Sequence, residues 1–168
     1  MNAILGRAMA ITFVILAASC GGQEFADPET ECRTPDDGAV LCLFAAEHGP
    51  VGRLVTADEE VKAALGSFCW SMDGAGGCGD IGEIPDLATP VTIAIGSKLS
   101  LIEDADRVSA EVGELEVVDG VRQLTNLADL DLSAGSLQVA PGSYVIDVFA
   151  RWEQGDGELF FPVEVVAD

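Results

Sequence analysis

The chain has 168 residues, with 29 acidic side chains against eight basic ones and a formal charge of −21. Proteins that grip nucleic acid neutralise its phosphates with Lys and Arg, so this balance excludes nucleic acid as a partner, and a polybasic lipid-surface role with it. Apolar residues make up 49% of the chain and aromatics are few, a globular composition whose length predicts one domain.

The first seven residues carry Arg7 and no acid, and residues 8–18, "AMAITFVILAA", form an uncharged run of 11, apolar but for Thr12. This is the layout of a helical secretory signal, and it falls short of the roughly 20 apolar residues that a membrane-spanning helix needs. The run stops at Ser-Cys-Gly-Gly. Leu16, Ala17, Ala18, Ser19 and Cys20 resemble the lipobox of bacterial lipoproteins, in which small residues precede a cysteine that receives lipid and becomes the mature N-terminus. Here the Leu sits one place further from the cysteine than in the usual pattern. The resemblance implies a signal peptide over residues 1–19, a covalent diacylglycerol on Cys20, and a membrane held through acyl chains worth ~0.8 kcal/mol per buried CH₂. The expected localisation is extracytoplasmic, lipid-anchored to the cell membrane or the outer membrane. A plain secretory signal ahead of a structural cysteine is the alternative. Loss of residues 1–19 removes Arg7 and no acid, leaving seven bases against 29 acids, or −22. That charge serves solubility, with specific cation binding as the other reading.

Residues 20–31 are polar, acidic and contain Pro28, a flexible tether between lipid and domain; residues 32–168 are the domain. Beyond Cys20 four cysteines remain, Cys32, Cys42, Cys69 and Cys78, an even number in a chain sent where disulfides persist. Of three connectivities, Cys32 with Cys42 and Cys69 with Cys78 are favoured, because each pair spans a short loop of turn-formers, "RTPDDG" and "MDGAGG". Structural zinc is the rival use of these cysteines, but the separations are wider than paired zinc ligands employ. "GSFCW", ending at Trp70, invites comparison with the catalytic cysteine of papain-like proteases. Phe68 interrupts that motif, and His48, the single histidine, precedes the cysteine instead of following it.

In chain order, "GRLVTA", "TPVTIAIG", "SKLSLIED", "RVSAEVGELEVV" and "GSLQVA" read as short strands separated by Gly, Asp or Pro. "TADEEVKAALGS" is ambiguous: Thr56 with Glu59 forms a capping box and Gly66 a possible C-cap, so residues 56–66 are helix or strand. The clearest pattern is "SYVIDVFARWE", with Tyr144, Ile146, Val148, Ala150 and Trp152 on one face and Asp147, Arg151 and Glu153 on the other. "ELFFPVEVV" then places Leu159, Phe161, Val163 and Val165 on one face, and "QGDG" supplies the turn of a hairpin. Pro162 on the outward face implies an edge or a bulge. Turn signals every 8 to 12 residues predict an all-β fold, an antiparallel β-sandwich of about seven strands, immunoglobulin-like. Tyr144 occupies the place where such sandwiches turn a tyrosine hydroxyl back onto the backbone.

"LGSFCWSMDGAGGCGD" and "APGSYVIDVFARWEQGDGELFFPVEV" together resemble a loose group of uncharacterised bacterial surface lipoproteins with a disulfide loop and a C-terminal hairpin. The resemblance implies a fold, an address and the Cys69–Cys78 pairing, and no reaction. The segment "ECRTPDDGAVLC" departs from that group.

Candidates for chemistry are sparse. His48 lies in a loop and reads as a surface residue. Asp129 and Asp131 share a strand face, the minimum for a carboxylate hydrolase. Asp73, Asp80 and Glu83 flank the Cys69–Cys78 loop and offer oxygens to calcium, although the EF-hand order is missing. Trp70 and Trp152 read as core residues, with stacking on a sugar or peptide as the alternative. The expectation is a non-catalytic interaction or adaptor lipoprotein of the cell envelope, not an enzyme, with no cofactor other than the lipid on Cys20 and with an envelope protein or glycan as partner. A carboxylate-based envelope hydrolase and a structural or stress lipoprotein without a specific ligand are the alternatives.

Overall fold

The computed structural model describes residue 32 and residues 38–72, 75–132 and 135–167. The signal segment, Cys20 and the tether lie outside them. The described residues form eleven strands: β1 (Ala39–Ala46), β2 (Gly49–Thr56), β3 (Glu60–Lys62), β4 (Ala64–Met72), β5 (Ala75–Gly79), β6 (Val91–Ala94), β7 (Leu99–Glu103), β8 (Arg107–Val118), β9 (Val121–Asp129), β10 (Gly142–Trp152) and β11 (Gly155–Val166). A small sheet, ordered β3-β2-β1-β7, packs on a large sheet ordered β5-β4-β11-β10-β8-β9, with β6 beside β11. The all-β sandwich expected from the sequence is the architecture found.

It differs from the expectation in strand number and in direction. β1 runs parallel to β7, and β6 parallel to β11. The reason lies between β6 and β7, where the chain leaves the large sheet and enters the small one. Gly96, at φ 73°, makes this corner, and the strands on either side continue in different sheets.

β1 is absent from the period-2 reading because it has no wet face. Leu41 and Leu43 enter the common core, while Val40, Cys42 and Phe44 pack on the opposite side with Cys32 and Ile102. A strand buried on both faces reads as a continuous apolar run. Conversely, "GSLQVA" supplies no strand beyond one bridge between Lys98 and Ser136, although Leu137 is fully buried.

Residues 56–66 resolve to a turn followed by strands. Thr56 Oγ1 accepts the Glu59 amide at 3.0 Å, and the Thr56 amide donates to the Glu59 carbonyl at 2.8 Å. The hydroxyl that would cap a helix here closes the connection from β2 to β3.

The last two strands carry the centre of the core. Ile146, Val148, Ala150, Leu159, Phe161, Val163 and Val165 are all at most 1% exposed. Their hairpin turns at Glu153 and Gln154, one residue pair earlier than "QGDG" implies, and Gly155 opens β11. A Cβ on Gly155 would stand 1.9 Å from the Cys69 carbonyl oxygen, so β4 can approach only a glycine there. Pro162 is on no edge. It falls where the ladder of β11 with β4 ends at Phe160 and that with β6 begins at Val163, so no bonded neighbour on that side misses its N–H. Tyr144 lays its ring over Gly142, and among the described residues its hydroxyl makes no bond back to the backbone.

Candidate functional site

Alternation along β10 sends Ile146, Val148, Ala150 and Trp152 into the core and Val145, Asp147, Phe149 and Arg151 to the outer face of the large sheet. Cross-strand register then assembles rows on that face. Asp147 stands opposite Glu111 of β8, and Glu111 opposite Asp129 of β9. In the next row Phe149 is flanked by Ser109 and Glu158, and beyond it Arg151 by Arg107 and Asp156. Four carboxylates from four strands therefore gather beside one aromatic ring, which is 42% exposed.

Two irregularities shape this face. In β4 an extra residue near Gly66 disturbs the ladder with β11, and the freed Ser67 amide donates to Glu158 Oε2 at 3.4 Å. In β9 the extra residue is Asn126, held at φ 53° with its amide donating to Glu114 at 3.0 Å. Asp119 and Gly120, at φ 55° and 84°, form the tight turn between β8 and β9.

Residues 80–90 cross the outer face as a strap. Ile81, Ile84 and Leu87 lie against Val145, Phe160, Ala64 and Leu124, burying apolar groups that the alternating pattern assigns to solvent. The strap is tied at one side by Ile81 N–H to Ser67 Oγ (3.3 Å) and by Ser67 Oγ–H to Asp80 (3.1 Å). At the other, the Ile84 amide donates to the Arg122 carbonyl at 3.2 Å, and the Arg122 guanidinium pairs with Asp86.

Between strap, β9 and sheet runs a groove made of two joined hollows of about 280 and 400 Å³, both lined by Asp147 and Glu158. Ile84, Leu124, Leu127 and Phe160 make one end apolar; Glu111, Asp129 and Phe149 line the other. Burial pushes the Asp147 carboxyl up to about 7, and the charges of Glu158 and Glu111 push the same way. At neutral pH this site holds a carboxyl that exchanges its proton.

The chain matches no protein-family model, no curated protein and no solved structure.

The residues singled out from the sequence are distributed as follows. Cys32–Cys42 and Cys69–Cys78 are both disulfides, with Cα separations of 5.9 and 4.0 Å, the second joining directly opposed residues of β4 and β5. Trp70 and Trp152 are both buried, their rings 5.5 Å apart and edge to face. His48 is exposed in the turn between β1 and β2. Asp129 and Asp131 do not share a strand face: β9 ends at Asp129, which lines the groove, whereas Asp131 lies beyond the strand and lines a hollow of about 520 Å³ with Glu103 and Arg107. Asp73 lies outside the described residues, Asp80 is engaged by Ser67, and Glu83 lines the groove. Among the described residues no three His, Cys, Asp or Glu side chains converge to hold a metal. No sequence pattern groups Asp147 and Phe149 with Glu158 and Glu111, which lie elsewhere along the chain. A carboxylate in the middle of the apolar run "YVIDVF" is the one local sign of the group.

Proposed function

We propose that this chain is a lipid-anchored, extracytoplasmic interaction module of the bacterial cell envelope, non-catalytic, which presents the outer face of its large sheet to an envelope protein or glycan. Two disulfides fit an oxidising compartment outside the cytoplasm. The lipobox-like residues ending at Cys20 and the resemblance to uncharacterised surface lipoproteins support the anchor. One observation carries the binding role: the end of the groove that no strap residue lines offers an exposed Phe149 beside four carboxylates, features that recognise a partner without enclosing a reacting bond. Cell fractionation tests the anchor: Cys20→Ser should release the protein or leave its signal unprocessed, and unchanged membrane retention with unchanged mass would overturn it. Phe149→Ala should weaken binding to isolated envelope fractions without changing the unfolding midpoint.

The elevated Asp147 favours one second reading, a carboxylate hydrolase in which Asp147 is the general acid and Glu158 its partner carboxylate. Hydrolysis of wall glycan that is abolished by Asp147→Asn would establish it in place of the first.

A further inference from the structure

Residues 80–90 contain no regular strand and hold the sheet with three apolar side chains and a few single hydrogen bonds, while the sheet beneath is continuous. Segments with so few buried contacts and isolated backbone bonds open at lower cost than the fold as a whole. Val145, under the strap, is two residues from Asp147 on the same face of β10, and Asp147 lines the same hollow as Ile81 and Ile84. The apolar cover and the carboxyl therefore share one hollow, and lifting the strap would open that side of Asp147 to water.

We propose that residues 80–90 are a proton-controlled cover, closed over the apolar end of the outer-face groove while Asp147 is protonated and lifted from it when Asp147 ionises.

The acidic groups that line the groove with Asp147 all favour this direction. Glu111 approaches from β8, Glu158 from β11, Asp129 from β9 and Glu83 from the strap itself. Arg122 of β9 is the one cation among the residues lining the groove, and it is already engaged with Asp86 of the strap. An ionised Asp147 meets the charges of Glu158 and Glu111, while the cation of the groove is occupied by Asp86. It is relieved when the strap lifts and water enters. Burial and the Glu158 and Glu111 charges hold the Asp147 carboxyl at about 7 in the closed form, above the 3.8 of a solvated aspartate. By proton linkage the opening equilibrium grows as pH rises between the open-form and closed-form values and levels off above the latter. The slope is at most about tenfold per pH unit for one proton, reduced by the solvent that already reaches the groove.

Amide hydrogen exchange on the full-length protein, expressed as protection relative to the intrinsic rate, tests the proposal. Protection at Ile81 and Ile84 should fall by up to about tenfold per unit from about pH 5 to 7 and then flatten, while Leu41 and Leu43 in β1 stay protected. Asp147→Asn should remove most of this dependence. Glu158→Gln, which deletes one repelling charge, should move the flattening to lower pH. Strap protection that does not change over this range, that falls equally in Asp147→Asn, or that falls in step with Leu41 and Leu43 would overturn it.

Discussion

The carboxylate of Asp104 accepts the indole N–H of Trp152 and, with both oxygens, the amide of Ala45 at 3.0 and 3.2 Å. One side chain thus binds β10 of the large sheet to β1 of the small one. Trp152 meets Trp70 edge to face, and Trp70 donates its own indole N–H to the Ala46 carbonyl at 3.2 Å. At this end of the sandwich two large apolar rings fill the space between sheets, and each ring's polar atom reaches a partner at the end of the small sheet.

Asp104→Ala should therefore destabilise the fold by about 1–3 kcal/mol, the cost of stranding a part-buried donor. Asp104→Asn, which keeps one oxygen acceptor, should lose less. Urea unfolding followed by tryptophan fluorescence measures both, and an Ala variant as stable as the parent would show that the bridge contributes nothing.

The sheets also meet at Gly52, where an added Cβ would stand 2.5 Å from Phe161 Cζ. Gly52→Ala forces that fully buried ring to move and should cost about 1–3 kcal/mol. Phe161→Leu removes the obstructing atoms at a cost of its own. A double-mutant cycle should show the two costs to be less than additive, and additivity would mean that they do not meet.

Intact mass after alkylation should show Cys32, Cys42, Cys69 and Cys78 blocked until a reductant is added. Replacing both Cys69 and Cys78 by Ser should lower stability by about 2–3 kcal/mol, the scale for closing a short loop. The β4–β5 ladder runs on both sides of the bridge, so the variant should keep its strand content by circular dichroism.

Asp147 and Glu103 are both raised above their ordinary values, Asp147 by burial and then by Glu158 and Glu111, Glu103 by burial and then by Asp104. A carboxyl held high in the folded state binds its proton there more tightly than in the unfolded chain. The stability it contributes is complete below the unfolded value near 3.8 and is lost as pH rises through about 7 for Asp147. Thermal melts should thus show Asp147→Asn gaining on the parent by ~1–2 kcal/mol between pH 5 and 8, after allowance for solvent screening. A difference that shrinks with rising pH would contradict this sign.

Some of this structure is legible residue by residue. The alternation of Tyr144 to Trp152 and of Leu159 to Val165 identifies their inward faces, because a strand with one dry side must repeat every second residue. The disulfide partners follow from short loops whose turn residues let the chain double back. The capping signal at Thr56 and Glu59 illustrates the limit: the same hydroxyl-to-amide bond that starts a helix also closes a turn, and only the neighbouring strand β1 selects between them. β1 itself carries no alternation, since Cys32 and Ile102 cover the side that solvent would otherwise reach.

What the amino-acid order determines alone is the class of fold, the two cross-links and the inward faces of the last hairpin, all set by neighbours close along the chain. The tertiary structure decides the rest: which strands run parallel, that a strap covers Val145 and Phe160, and that Glu111, Asp129, Asp147 and Glu158 share one groove. Those carboxylates lie on four strands and come together only through ladder register. Their mutual repulsion and the burial of Asp147 are properties of the assembled sheet, which no local stretch of sequence contains.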